Sequence, residues 1–187
     1  MVEAFATYQD LEKRLNRTFT EAEQAWITTL LEDASTYLRE DVIGLQVFPQ
    51  STVTFTARPA NGEVVLPQQP VVEVVSVTSG GEPVSFSVED GSVFVSGCDE
   101  VAITFTFGYE QAPEGLRRWA CVLVSQALVP LEMKLGLAVG GLSSVAIDDF
   151  RVAFADGGEA TGMTLTDRNV ELIRAQYRGT ATVVGTR

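Results

Sequence analysis

The chain has 187 residues, 45% of them hydrophobic, and a formal net charge of −12. That length and apolar content can build a real core, as one domain or one domain with a substantial insertion, and they argue against wholesale disorder. The charge argues against binding nucleic acid by neutralising phosphates, which needs clustered Lys and Arg; it suits a surface that repels DNA or stays soluble when crowded.

There is no histidine. This removes Ser-His-Asp and Cys-His nucleophilic sites, His-bearing zinc sites and the commonest general base at neutral pH. The two cysteines, Cys98 and Cys121, are far apart in sequence and form no metal-type pair; a disulfide between them is one reading, and two buried free thiols in a reducing compartment the better one. The N-terminal Met1-Val-Glu-Ala-Phe-Ala lacks the basic start and apolar run of a signal peptide. No apolar run approaches the ~20 residues of a membrane span. Synthesis in the cytoplasm and no membrane partner are expected.

In chain order, Thr7 to Leu15 predicts a short helix. Thr7 caps it, Asp10 stands in the capping-box position, and Tyr8, Leu11 and Leu15 share a face. Thr20 and Glu23 form a fuller capping box before a long amphipathic helix ending near Gly44. Its apolar stripe is Ile27, Leu31, Ala34, Leu38 and Val42, with Leu30 beside them, and Trp26 and Tyr37 widen it toward core or subunit contact.

From Ser51 the period changes to two. Val53 and Phe55 alternate with threonines, and Asn61-Gly62 signals a type I′ hairpin before Glu63–Leu66. Val71–Thr78, the alternation Val84, Phe86, Val88, a turn at Asp90-Gly91, Val93–Val95 and Val101–Phe107 complete about six short strands. These predict a small antiparallel sheet or barrel inserted into a helical domain.

Pro113 suits the first turn of the next helix, whose broad apolar face is Leu116, Ala120, Leu123, Val124, Ala127, Leu128 and Leu131, with Cys121 near its flank. Arg117 and Arg118 lie in the first turn, where positive charge opposes the helix dipole; an acidic partner or simple solvation accounts for them. Pro130 is expected to kink or end the helix. Alternation returns between Val145 and Ala155, a glycine-rich loop runs to Gly162, and Thr166 caps a last helix with Val170, Ile173 and Tyr177 on one face. The tail after Gly179 has β-type residues without a partner in sequence. It is expected either to fray or to add as a strand to a neighbouring subunit.

No catalytic constellation emerges. Asp148 and Asp149 would point to opposite faces of a strand, and Asp156-Gly-Gly-Glu159 lacks the acidic spacing of a calcium loop. Gly140-Gly141-Leu-Ser-Ser has no lysine to make a phosphate-binding loop. Neither an enzyme nor a bound cofactor or metal is expected.

The order of features resembles the head-to-tail adaptor (connector) family of long-tailed bacteriophages. The likeness rests on the Tyr8-Gln-Asp-Leu-Glu-Lys-Arg-Leu15 helix and the long helix containing Glu21-Ala-Glu-Gln and Leu-Leu-Glu-Asp-Ala-Ser35. It continues in Leu66-Pro-Gln-Gln-Pro-Val-Val-Glu-Val-Val-Ser-Val77, in Phe105-Thr-Phe-Gly-Tyr109 followed by Pro113, and in Thr164-Leu-Thr-Asp167 leading to Tyr177-Arg178. It spans nearly the whole chain, carried by order and spacing rather than by any one sharp motif.

The resemblance implies an α+β fold: a helical bundle core with an inserted small antiparallel β-sheet or barrel and an extended C-terminal arm. The corresponding divisions are 1–50 and 110–178 for the helical core, with a strand or loop near 143–162, then 51–109 for the β-rich insertion and 179–187 for the arm. It further implies a homo-oligomeric, dodecameric ring at the virion neck, between the portal protein and the next neck or stopper protein. DNA would pass through the lumen without sequence-specific binding. On this likeness Thr180, Ala181, Thr182, Val183, Val184 and Arg187 form the candidate portal-docking arm. Arg117 and Arg118 are candidate contacts to an acidic neighbour, and the apolar face after Pro113 is a candidate packing surface between subunits.

Two other expectations compete. Another neck protein, a stopper or tail terminator, would be dominated by a β-barrel and lack the two helices before the sheet. A small β-rich ligand-binding domain would cluster exposed aromatics on one sheet face, whereas Phe55, Phe86, Phe105 and Phe107 alternate as core residues do.

Overall fold

The computed structural model describes residues 3–134 and 163–178. Among these residues the chain forms four α-helices, α1 (Tyr8–Leu15), α2 (Glu21–Tyr37), α3 (Glu114–Lys134) and α4 (Asp167–Arg178). Seven strands lie between α2 and α3: β1 (Ser51–Ala57), β2 (Glu63–Val65), β3 (Val71–Ser79), β4 (Glu82–Pro83), β5 (Phe86–Glu89), β6 (Ser92–Val95) and β7 (Val101–Phe107). The fold class is α+β. The expected strand or loop near 143–162 and the arm from Gly179 lie outside the described residues.

The described residues fall into two compact units, those of Ala4–Leu38 with Glu114–Asn169, and those of Met1–Glu3, Arg39–Pro113 and Val170–Arg187. In the first unit α1, α2 and α3 pack on one another. Both predicted capping boxes form. Thr7 Oγ1 accepts from Asp10 N–H while Asp10 accepts from Thr7 N–H at 2.9 Å. Thr20 and Glu23 do the same, the Thr20 N–H donating at 2.8 Å. Glu23 also pairs with Arg17. The α2 stripe packs as its period predicts: Ile27, Leu30, Leu31 and Ala34 are all buried. Leu15 departs from its predicted face and is 40% exposed, because Asn16 turns left-handed directly after it and ends the helix. Helix α3 continues past Pro130 to Lys134 instead of ending there.

The second unit begins where the predicted long helix changes form. Leu38–Ile43 is a π-helical turn, closed by Gly44 N–H on Arg39 O at 2.8 Å. The wider turn still buries Leu38, Val42 and Ile43, and it also brings Arg39 inward.

The β-region is an open two-sheet sandwich rather than a barrel. One sheet has the order β1-β7-β3-β4 and the other β2-β6-β5. Their inner faces share one cluster: Val64, Leu66, Val93 and Val95 from one side, and Val71, Val77, Val101, Ile103, Phe105 and Phe107 from the other. β7 is its spine, with the alternating burial that its sequence predicts. The Asn61-Gly62 turn exists but is not a hairpin joining β1 to β2. It closes only the Ala60–Glu63 bridge, and the two strands go to different sheets. β1 pairs instead with β7, Thr54 opposite Thr104. Phe86 is 38% exposed rather than core, because its strand β5 is the edge of the smaller sheet.

The joint after β7 is sterically defined. Gly108 has φ +89°, and a Cβ there would meet the carbonyl oxygens of Pro49 and Val47, each at 3.2 Å. Only glycine adopts this φ freely, and a Cβ would press on those carbonyls more tightly than an ordinary van der Waals contact. Gly108 N–H donates to Pro70 O and Tyr109 N–H to Val47 O, both at 2.8 Å.

Replacing Gly108 with Ala is expected to lower unfolding free energy by about 1–3 kcal/mol, read as a shifted denaturant midpoint at unchanged slope. Thr20→Ala is expected to lose ~1 kcal/mol at pH 7. The Thr20 N–H and hydroxyl, with Arg17, hold the Glu23 carboxyl below its ordinary value. A depressed carboxylate pKa adds stability above the ordinary carboxylate range, about pH 4, and that stability disappears as pH falls through the lowered value. The Thr20→Ala deficit therefore shrinks toward pH 3 in urea titrations, the ordinary carboxylate pKa lying near ~4.

Candidate functional site

The arm residues Thr180, Ala181, Thr182, Val183, Val184 and Arg187 lie outside the described residues. The helix before those residues is well defined. Helix α4 buries Ile173 and Tyr177 and half-buries Val170, so its predicted apolar face is the packed one. One turn apart on the same helix, Arg174 and Arg178 reach the end of the π turn. Arg174 Nε donates to Val42 O at 2.8 Å and its terminal nitrogen to Asp41 O at 3.0 Å. Arg178 Nε donates to Ile43 O. These are the carbonyls that a helix end leaves without intrahelical donors, and the cations sit at the negative end of its dipole. Gly44, at φ +71°, leaves the space that the Arg178 guanidinium fills.

Arg39 supports the same turn from inside. It is 8% exposed and donates to Glu3 O at 2.9 Å and Phe48 O at 3.3 Å. Burial pulls its pKa below the ordinary arginine value, with Glu40 acting the other way. Sequence reading missed Arg39, Arg174 and Arg178. The spacing of Arg174 and Arg178, four apart near a helix end, was the available signal; their carbonyl partners were not legible.

At the start of α3, Arg117 and Arg118 part company. Arg117 pairs with Glu114 at 3.3 Å. Burial acts to raise the Asp10 pKa, but the Thr7 hydrogen bonds and the charges of Arg117 and Lys13 together hold it below its ordinary value. Arg14 also approaches Glu114, at 3.7 Å. The acidic neighbours of Arg117 thus come from its own chain and offset the dipole argument that had suggested a foreign one. Arg118 stays exposed.

The apolar face of α3 is not an open packing surface. Leu116, Ala120, Leu123, Val124, Ala127 and Leu128 are all buried within the chain, against α1 and α2. Leu131's side chain lies outside the described ones. Cys121 sits in that core rather than at its flank, and Cys98 is half-buried rather than buried. Both are free thiols.

Among the described residues no group of three His, Cys, Asp or Glu is placed to hold a metal ion. An open depression beside Phe86 is lined by Asn61, Ser85, Ser87, Phe94 and Ser96 and contains no ionisable side chain. A second depression gathers Arg58, Cys98, Asp99 and Glu100, with Arg58 and Glu100 3.8 Å apart at the surface. The second sets the Cys98 thiol, which donates to Ser96 O at 3.5 Å, in the same depression as the carboxylates of Asp99 and Glu100. No helix among the described residues is long and apolar enough to cross a membrane. No protein-family model matches the chain, and no curated protein matches it.

Burial pushes the Cys121 thiol up to about 11. In the folded protein at pH 8, a thiol reagent such as iodoacetamide is expected to modify Cys98 and to spare Cys121 until denaturant is added. Peptide mass mapping reads both sites.

Proposed function

We propose that this protein is a structural head-to-tail adaptor of a tailed phage. It forms a ring beneath the portal, around the DNA channel, and joins the capsid to the next neck protein. It acts by assembly, without catalysis or cofactor, and its place is the virion neck.

The observation that carries this reading is the order of elements. Two helices, Tyr8–Leu15 and Glu21–Tyr37, precede the strands. β7 then returns the chain to helix α3 through the tightly packed Gly108-Tyr109 joint. Finally, Asp167–Arg178 is the last described helix, with Arg178 bound to Ile43 O just before the candidate arm. That is the sequence of features on which the family resemblance rests. The two leading helices and the open sandwich weigh against a stopper or tail terminator, the neck alternative built mainly from a β-barrel. The scattered burial of the aromatic residues weighs against a ligand-binding domain. Phe105 and Phe107 are core, and Phe86 alone among the phenylalanines of the strand region is an exposed large hydrophobic residue.

The charge fits passage of DNA. Residues 39–113 hold ten carboxylates against two arginines. A lumen built from such a surface repels phosphate and lets a duplex slide without sequence-specific contact.

Mass measurement of the purified protein mixed with its cognate portal is expected to give a multi-copy ring on the portal. A chain that stays monomeric in that mixture overturns the reading. Deleting Thr180–Arg187 is expected to abolish portal binding while far-UV circular dichroism and the unfolding midpoint stay unchanged. Binding that survives the deletion removes the arm from the docking surface.

A further inference from the structure

β1 is an edge strand. Among the described residues it pairs with β7 alone, along its full length from Ser51 to Ala57, so its outer row of backbone groups is without a strand partner there. Exposed edges invite pairing with another chain, and natural sheets blunt them with charge, proline, bulges or shortness. The other sheet edges are blunted in these ways. β4 has two residues, ends on Pro83 and covers β3 only at Thr78 and Ser79; the rest of the β3 edge carries Glu73 and two breaks in its register with β7; β2 has three residues, and β5 has four, ending on Glu89. β1 has seven residues, Ser-Thr-Val-Thr-Phe-Thr-Ala, with no charge and no proline, in unbroken register with β7.

The same strand fits a copy of itself. Placed antiparallel about a two-fold axis at Thr54, it sets Thr52 opposite Thr56, Val53 opposite Phe55 and Ser51 opposite Ala57. Residues directly opposite in an antiparallel pair share a face. One face thus continues the threonine ladder already present, in which Thr52 meets Thr106 at 2.8 Å and Thr54 meets Thr104 at 2.7 Å between hydroxyl oxygens. The other face brings Val53, 37% exposed, and the partly buried Phe55 against their counterparts.

Charge selects the occupant and the place. Two copies, each at −12, repel over most of their surface. A joint between them needs a stretch free of carboxylates, and β1 supplies one. Just beyond its end, Arg58 would stand opposite Gln50, so like charges do not meet there either. We propose that β1 is a self-pairing interface: two copies join edge to edge through Ser51–Ala57, centred on Thr54, and merge their four-stranded sheets into one continuous sheet. Such a contact is isologous and closes on itself as a pair, so it is a different surface from the head-to-tail contacts of a ring. It does not depend on the adaptor reading, on which the portal assay reports separately.

Sedimentation equilibrium of the purified full chain, without portal, tests it from micromolar to millimolar concentration. The expected result is a mass rising from that of one chain to that of two. Thr54→Lys, on the exposed threonine face, is expected to hold the mass at one chain across the same range with the unfolding midpoint preserved. A register test uses single cysteines in a Cys98→Ser background. Opposed residues of an antiparallel pair have Cα atoms about 4.5–5.5 Å apart, within disulfide range, so Thr54→Cys crosslinks rapidly under mild oxidation. Thr52→Cys does not, because its two copies sit roughly 13 Å apart along the strands. The proposal is overturned by a mass of one chain throughout, by self-association that Thr54→Lys leaves intact, or by equal crosslinking at the two positions. It is also overturned if deleting Thr180–Arg187 abolishes the pair, which would make the arm the occupant of the edge.

Discussion

The stretch from Ile43 to Ser51 connects the π turn to the first strand, and its carbonyl oxygens are bound from remote parts of the chain. Arg178 donates to Ile43, Tyr109 N–H to Val47 and Arg39 to Phe48, while Gly108 packs directly on the carbonyls of Val47 and Pro49. Backbone groups withdrawn from water must find partners, and here helix α4, the end of β7 and the π turn all supply them to one short segment. The sandwich, the last helix and the turn that introduces them are thereby tied to a single connection. Gln46 extends the same knot, its N–H donating to Gln68 Oε1 and its side-chain amide to Ser51 Oγ, each at 3.0 Å.

This arrangement shapes what the protein can offer a partner. The apolar residues of α3 and of the sandwich interior are committed to internal cores, so association falls to edges, termini and charged surface. β1 is uncharged and, among the described residues, pairs on one side only, α4 ends at a pinned Arg178, and the segment 39–113 is strongly acidic. Among the described residues one depression gathers serines around an exposed phenylalanine, and another an arginine, two carboxylates and a thiol.

The candidate contacts were legible to different degrees. That Arg117 and Arg118 sit in the first turn of α3 followed from Pro113 and the apolar period behind it. That the Arg117 charge acts on Asp10 did not follow, because Asp10 lies more than a hundred residues earlier in the sequence. The broad face from Leu116 to Leu128 was readable as apolar. Whether it faced a neighbour or its own chain depended on α1 and α2 packing against it, which periodicity does not encode. The three arginines around the π turn left the weakest trace, since a guanidinium binding a carbonyl needs no particular residue type at the acceptor.

What the sequence determined by itself was local. The capping boxes at Thr7 and Thr20, the α2 stripe, the alternation of β7, the tight turns and the α+β class all depend on spacings of a few residues, where backbone geometry translates pattern directly into structure. Tertiary structure alone decided that β1 pairs with β7 instead of β2, that the strands form two open sheets, and that the long helix widens into a π turn at Leu38. It also decided that Phe86 is exposed while Arg39 is buried. Each of those outcomes is set by a partner far along the chain. Burial and backbone satisfaction are decided by the whole set of neighbours that meet in space, and a local pattern names only one member of that set.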